Sequence, residues 1–152
     1  MVDQSRSVEM EPENQVASDE PIRARNVLKI LTAAVEIFSR KGLDGARIVE
    51  IAKASGLPKG NVYYYFSSKE EIYNAAIDRL IHSWDDAFRH ISAEREPAEA
   101  IEAYVRAKLN HAWGNPAETR LFANEILQGA DHLSTDAREH MRRVTSEKAG
   151  VI

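Results

Sequence analysis

Lys59, Gly60 and Asn61 stand in a row at the start of a short helical stretch, and their chemistry suits the edge of a base pair. A lysine ammonium donates to guanine O6 and N7 or to a phosphate, and an asparagine amide makes a paired hydrogen bond to adenine. Gly60 between them leaves room for a backbone to come close. Three tyrosines follow at Tyr63, Tyr64 and Tyr65, on a helix too short to bury them all. At least one phenol is expected to project toward a phosphate oxygen, which accepts a hydroxyl hydrogen bond well. Lys69 falls in the first turn of the next helix, where exposed N–H groups would reinforce a phosphate contact.

A second set lies further along. Trp84, Phe88, Tyr104, His111, Trp113, Phe122 and Glu125 mix aromatic surface with imidazole and carboxylate on neighbouring helices. Small-molecule pockets between helices have that mixture, largely apolar with a few polar groups. Each residue alone reads as ordinary core, but the set is more polar than a structural core needs. Trp84, Tyr104 and Phe122 are the expected walls. His82, Asp86 and His90 recur every four residues and share one helix face, a spacing that can hold zinc or nickel. The apolar stripe runs instead through Leu80, Trp84 and Phe88, which leaves that triplet on a solvated face. No metal and no cofactor is therefore expected. Asp85 and Asp86 are adjacent, so they diverge on a helix and cannot form an acid–base pair. With no Gly-rich phosphate loop, nucleophile elbow or zinc-protease motif either, an enzyme is not indicated.

These residues need helices to hold them. Val27, Leu28, Leu31, Ala34, Val35 and Phe38 recur at three- and four-residue steps from Arg23 onward, and Gly42 ends that helix. A second helix fits 47–54. Gly56 turns the chain, and Pro58 opens a third helix to Tyr65. Ser68 and Glu71 form a capping box for a fourth helix, expected to run unbroken to Ser92 through Ile72, Leu80, Trp84, Phe88 and Ile91. A fifth begins at Pro97 and closes at Gly114, and a sixth runs from Pro116 to Gly129. A seventh begins near Ser134 and is still running at Ile152, which reads as a truncated version of a longer chain. No strand-like alternation occurs, so the fold is expected to be all-α.

The formal charge of −4 hides an asymmetry. Residues 1–21 hold one basic and six acidic side chains, and residues 22–70 hold nine basic and four acidic. A basic segment in an acidic chain is what a local phosphate-contacting surface looks like, although Arg23, Arg25, Lys29, Arg40 and Lys41 read equally well as the solvated face of a helix. The acidic start lacks periodicity and is expected to be a disordered tail. It has neither the basic start nor the apolar stretch of a signal peptide, and nowhere do about 18 apolar residues run together as a membrane span requires. With no cysteine, a soluble cytoplasmic protein without membrane contact is expected.

The run GLDGARIVEIAKASGLPKGNVYYYFSSKEEI, residues 42–72, closely resembles the DNA-binding head of the tetracycline-repressor (TetR) family. The match rests on Ile51-Ala52, Ser55-Gly56-Leu57, Lys59 through Phe66 and Ser68-Lys69-Glu70, and it departs at Ala46, Arg47 and Pro58, where the family carries hydroxyl residues. The resemblance implies a homodimeric, ligand-responsive regulator of a palindromic DNA operator, most simply a repressor. It implies DNA contacts from Arg47, Lys59, Gly60, Asn61, Tyr63, Tyr64 and Lys69, with Ile51, Ala52, Val62 and Phe66 structural. It implies a three-helix head over 22–67, after a tail at 1–21, and an incomplete helical body over 68–152 for effector binding and dimerisation. The stretches 101–109 and 120–130 look like the branch containing the pyrimidine-utilisation repressor, which points to a small nitrogenous effector such as a pyrimidine. The competing readings are a metal-sensing regulator and a helical bundle that binds only other proteins.

Overall fold

Phe38 and its neighbours explain where the longest helix goes. In the computed structural model, which describes residues 13–92 and 94–150 (backbone alone at 13–19 and 86), α1 spans Glu13–Gly45. Ile30, Leu31, Ala34, Val35 and Phe38 form its buried face. Gly42, at φ 68 and ψ 179, breaks the helical path before a last turn to Gly45. The helix begins ten residues ahead of Arg23, so residues 13–21 are helical and not part of a tail; residues 1–12 lie outside the described residues. Pro21 inside it forfeits one backbone hydrogen bond.

Two short helices follow. α2 covers Ile48–Ser55 and α3 covers Lys59–Tyr65, each displaced by one residue from its expected start. The shift has a cause at both ends. Arg47 (φ −122, ψ 138) and Pro58 (ψ 145) have extended backbone and stand outside their helices as N-caps.

The fourth helix is shorter than its stripe predicts. α4 runs Lys69–Ser83 and stops, and a single turn, α5 (Asp85–Phe88), follows. Ser83 Oγ donates back to the Leu80 carbonyl at 2.7 Å, and the Trp84 N–H bonds Ile81 three residues back. Such local bonding competes with the helical ladder, and the Asp85 carboxylate just past a helix C-terminus opposes its dipole. Ile81, Ala87 and Ile91 are still buried on the two sides of this break.

α6 (Pro97–Gly114), α7 (Pro116–Leu127) and α8 (Thr135–Ala149) complete the body. α7 ends two residues before the expected Gly129, where Gly129 (φ 99) and Ala130 (φ 61) turn the chain. Gly150 caps α8, and residues 151–152 lie outside the described residues. Every regular element among the described residues is a helix. α1 is the common spine, packing on α2, α4 and α7. One continuous core accordingly joins Ile51, Val62 and Phe66 of the head to Leu121, Leu133 and Ala137 of the body. α6 is different. Ala100 is its one buried residue among those described, while Ile101, Val105, Leu109 and Trp113 are exposed.

Candidate nucleic-acid interface and effector pocket

The α2–α3 turn is built by Gly56, whose φ of 71 lets its N–H reach the Lys53 carbonyl and the Leu57 N–H reach Ala52. A side chain at that φ would be strained. α3 then docks through Val62, fully buried, and through Phe66 just beyond its end. With that face turned inward, Lys59, Gly60, Asn61, Tyr63 and Tyr64 are all exposed. Tyr64 is 75% exposed, a large aromatic surface to leave in water. The Lys59 ammonium lies 5.5 Å from the Tyr63 ring centre, one helical turn on. A Cβ built on Gly60 meets nothing within 4 Å, so space outside the chain is what that glycine leaves open.

Tyr65 behaves differently from its two neighbours. Asn26 on α1 donates to its hydroxyl at 3.0 Å, and Arg23 sits over its ring. Arg47, at the start of α2, cannot accept a hydrogen bond, so only the return half of a capping box forms, from the Arg47 N–H to Glu50 at 3.2 Å. Its guanidinium is largely exposed. Lys41 donates to Glu50 at 2.6 Å, and that bond leads the effects holding the Glu50 carboxyl below its ordinary range. Lys69 is more occupied than its sequence position suggests. Its ammonium donates to the Asp44 and Ala46 carbonyls at 3.4 and 3.2 Å and ties α4 to the α1–α2 connection. Ser68 caps α4 as expected, whereas the Glu71 carboxylate turns to Ser67.

In the body, a pocket of about 120 Å³ opens between α4, α5, α6, α7 and α8. Trp84, Phe88 and Phe122, three of the sequence candidates, line it. Trp84 and Phe122 meet edge-to-face at 4.2 Å. The other four candidates are not lining residues. Tyr104 backs Phe88 at 5.2 Å, and His111 faces a neighbouring groove with its Nε2 3.4 Å from Glu118 Oε2, without hydrogen-bond alignment. Trp113 is 91% exposed.

Glu125 is wholly buried outside the pocket, where it accepts from the Tyr73 hydroxyl and the His132 N–H, both at 2.8 Å. The requirement that a buried carboxylate be satisfied decides its place. Tyr73 in turn meets Phe38 of α1 edge-to-face at 4.9 Å. Burial, then the Glu125 hydrogen bond and charge, push the Tyr73 phenol well above its ordinary pKa of 10.0.

The pocket has polar residues that spacing did not flag. Lys108 places its ammonium 3.8 Å from the Trp84 ring centre and 5.5 Å from that of Phe88, and burial lowers its pKa. Asp85 accepts from His140 Nε2 at 2.8 Å in the imidazole tautomer that carries its proton there, and His140 stacks on His82 at 4.5 Å. A lone lysine on α6 carries no signal in sequence, because the aromatics that make it notable come from other elements. Among the described residues no group of three or more His, Asp or Glu is placed to hold a metal, and the Asp86 side chain of the 82–86–90 triplet lies outside them.

An α2 anchored through Ile51 and Ala52, a docked α3 with an exposed polar–aromatic face, and a helical body behind them define a helix-turn-helix protein. The chain belongs to the tetR family of bacterial regulatory proteins: residues 30–76 match the model of that description, and residues 77–152 match that of the YcdC-like protein C-terminal region. It is 34% identical over 123 residues to the HTH-type transcriptional regulator RutR of Escherichia coli and 27% identical over 124 residues to the HTH-type transcriptional repressor NicS of Pseudomonas putida. Both alignments cover 81% of this chain and 58% of the relative, so the chain spans under two thirds of the length of these relatives. Among solved structures, a putative transcriptional regulator from Streptomyces coelicolor superposes with TM-score 0.57 at 31% identity, covering 69% of this chain and 55% of that one. A putative tetR family regulator from Shewanella shares the fold, with TM-score 0.67 at 21% identity over 83% of this chain and 67% of that one. Among the described residues no helix is long and apolar enough to cross a membrane.

Proposed function

We propose that this chain reads double-stranded DNA through α3 and releases it in response to a small effector bound in the body, as a transcriptional regulator acting in the repressor sense. The carrying observation is the outward face of α3, where Lys59, Asn61, Tyr63 and Tyr64 surround an unobstructed Gly60. An α-helix fits the major groove, and phosphate contacts from Arg47 and the tyrosines position it while base contacts specify. Two heads of a homodimer would occupy successive grooves about 34–36 Å apart on a palindromic operator. The names of the relatives, both regulators, support this reading over an enzyme or a purely protein-binding bundle. In a binding titration against duplex DNA, affinity should fall steeply with salt as counterions are displaced. Salt-insensitive or undetectable binding would remove the proposal.

The effector reading rests on the pocket. About 120 Å³ suits a single-ring molecule, since an engineered cavity of roughly 150 Å³ takes benzene. Trp84, Phe88 and Phe122 offer flat walls, Lys108 offers a donor, and Asp85 an acceptor. That complement fits a small nitrogenous ring with both carbonyl and N–H groups, such as a pyrimidine. α4 links the two sites. Its first residue, Lys69, holds the α1–α2 connection, and Ile81 near its end lines the pocket. An effector preferring one position of α4 would shift the heads relative to the operator. Lys108→Met should leave DNA binding intact and abolish its sensitivity to uracil-like ligands. Retained sensitivity in that variant would sink the assignment.

A further inference from the structure

Of the basic residues on α1, Arg40 and Lys41 are paired, to Glu36 at 2.8 Å and Glu50 at 2.6 Å. Arg23 is placed otherwise. Its guanidinium carbon stands 5.6 Å from the centre of the Tyr65 ring, and Asn26, three residues further along the same helix face, donates to the Tyr65 hydroxyl at 3.0 Å. Tyr65 meets Tyr64 edge-to-face at 5.0 Å. Arg23, Tyr65 and Tyr64 therefore form one basic–aromatic border beside the C-terminal end of α3. Arg23 and Tyr64 are exposed, while Tyr65 is half-buried between them.

A helix about 10–12 Å across nearly fills a major groove about 12 Å wide. A cation beside such a helix, and not on its leading face, meets the phosphate wall instead of a base. Arginine suits that place, because its planar fork matches phosphate oxygens and its stacking on an aromatic ring limits the rotamers it must give up. The Asn26 bond fixes the ring over which the Arg23 guanidinium lies.

We propose that Arg23 grips a backbone phosphate at one wall of the groove and that Tyr65, held by Asn26, is its positioning residue. The proposal rests on the DNA-reading function above. It is tested by fluorescence anisotropy of a random-sequence duplex titrated with the intact chain over a series of NaCl concentrations.

Arg23→Ala should make the slope of log affinity against log salt shallower by about 0.9, the value of one phosphate contact. Affinity at low salt should fall about tenfold, as expected for losing one charged hydrogen bond. Arg25→Ala, which removes the same charge from the same helix, should change the slope much less. Tyr65→Leu should keep the slope and lower affinity, and should add nothing in the Arg23→Ala background. Equal slope losses in the two arginine variants, or none in Arg23→Ala, would overturn the grip while leaving the DNA-reading function standing. A Tyr65→Leu effect of the same size in both backgrounds would overturn the positioning role. A wild-type chain without salt-dependent binding would overturn both this proposal and the function it rests on.

Discussion

Glu125→Ala is expected to be the most destabilising of the substitutions considered, by about 3 kcal/mol, because removing one member of a buried polar set leaves the others unpaired. The Tyr73 hydroxyl and the His132 N–H both lose the carboxylate that satisfies them. For a chain of this size that loss lowers the melting midpoint by about 10 °C. Glu102→Ala, which removes an exposed ion pair with Arg106, is the control and should cost about 0.5 kcal/mol or less. Equal midpoints for the two variants would mean that the carboxylate is not holding α4 to the α7–α8 connection.

The same network has an alkaline signature. Folding raises the Tyr73 pKa above its ordinary value of 10.0, so the stability it contributes is complete below pH 10. Above that the unfolded chain releases the phenol proton while the folded one keeps it, and stability falls as pH rises. Tyr73→Phe should reduce that fall. Denaturation midpoints measured through the alkaline range for both proteins would show it, and parallel curves would contradict it.

The largest functional effect is expected at Asn61. A side-chain amide paired with adenine contributes about 1–3 kcal/mol of discrimination, so Asn61→Ala should lose preference at one position of the site by at least about fivefold. The salt slope should stay the same, because an amide displaces no counterion. Sites selected from a randomised duplex pool by the two proteins provide the comparison. Identical preferences would take Asn61 out of base reading. Lys59→Ala separates the two roles open to that residue. A shallower slope places its ammonium on a phosphate, and an unchanged slope with altered preference places it on a base.

The head was legible because its determinants are local. The Gly56 turn, the apolar residues of α2 and α3, and the exposed Lys59, Asn61, Tyr63 and Tyr64 are all encoded within residues 48–65. Helix boundaries were less so. A continuous apolar stripe from Leu80 to Ile91 read as one rod, yet tight local bonding at Ser83 and Trp84 broke it, and the next turn still buried Ala87. Periodicity reports which side chains go inward, and it does not show whether the chain bends while putting them there.

The body shows what sequence alone left open. Glu125 and Phe122 are on one helix and read alike as pocket residues, but Glu125 turns to Tyr73, 52 positions away, while Phe122 turns to Trp84. Arg23 read equally well as solvated charge or phosphate contact, and Lys108 carried no reading of its own; both now lie by rings from distant elements. By itself, then, the sequence determined the helical class, the helix-turn-helix and its exposed polar–aromatic face, because those follow from short-range spacing. The tertiary structure alone decided which polar side chains stand in the pocket, which are satisfied in the core, and which cation lies beside α3. Those partners are far apart in sequence, and a charged group's role depends on the burial and partners that folding brings to it.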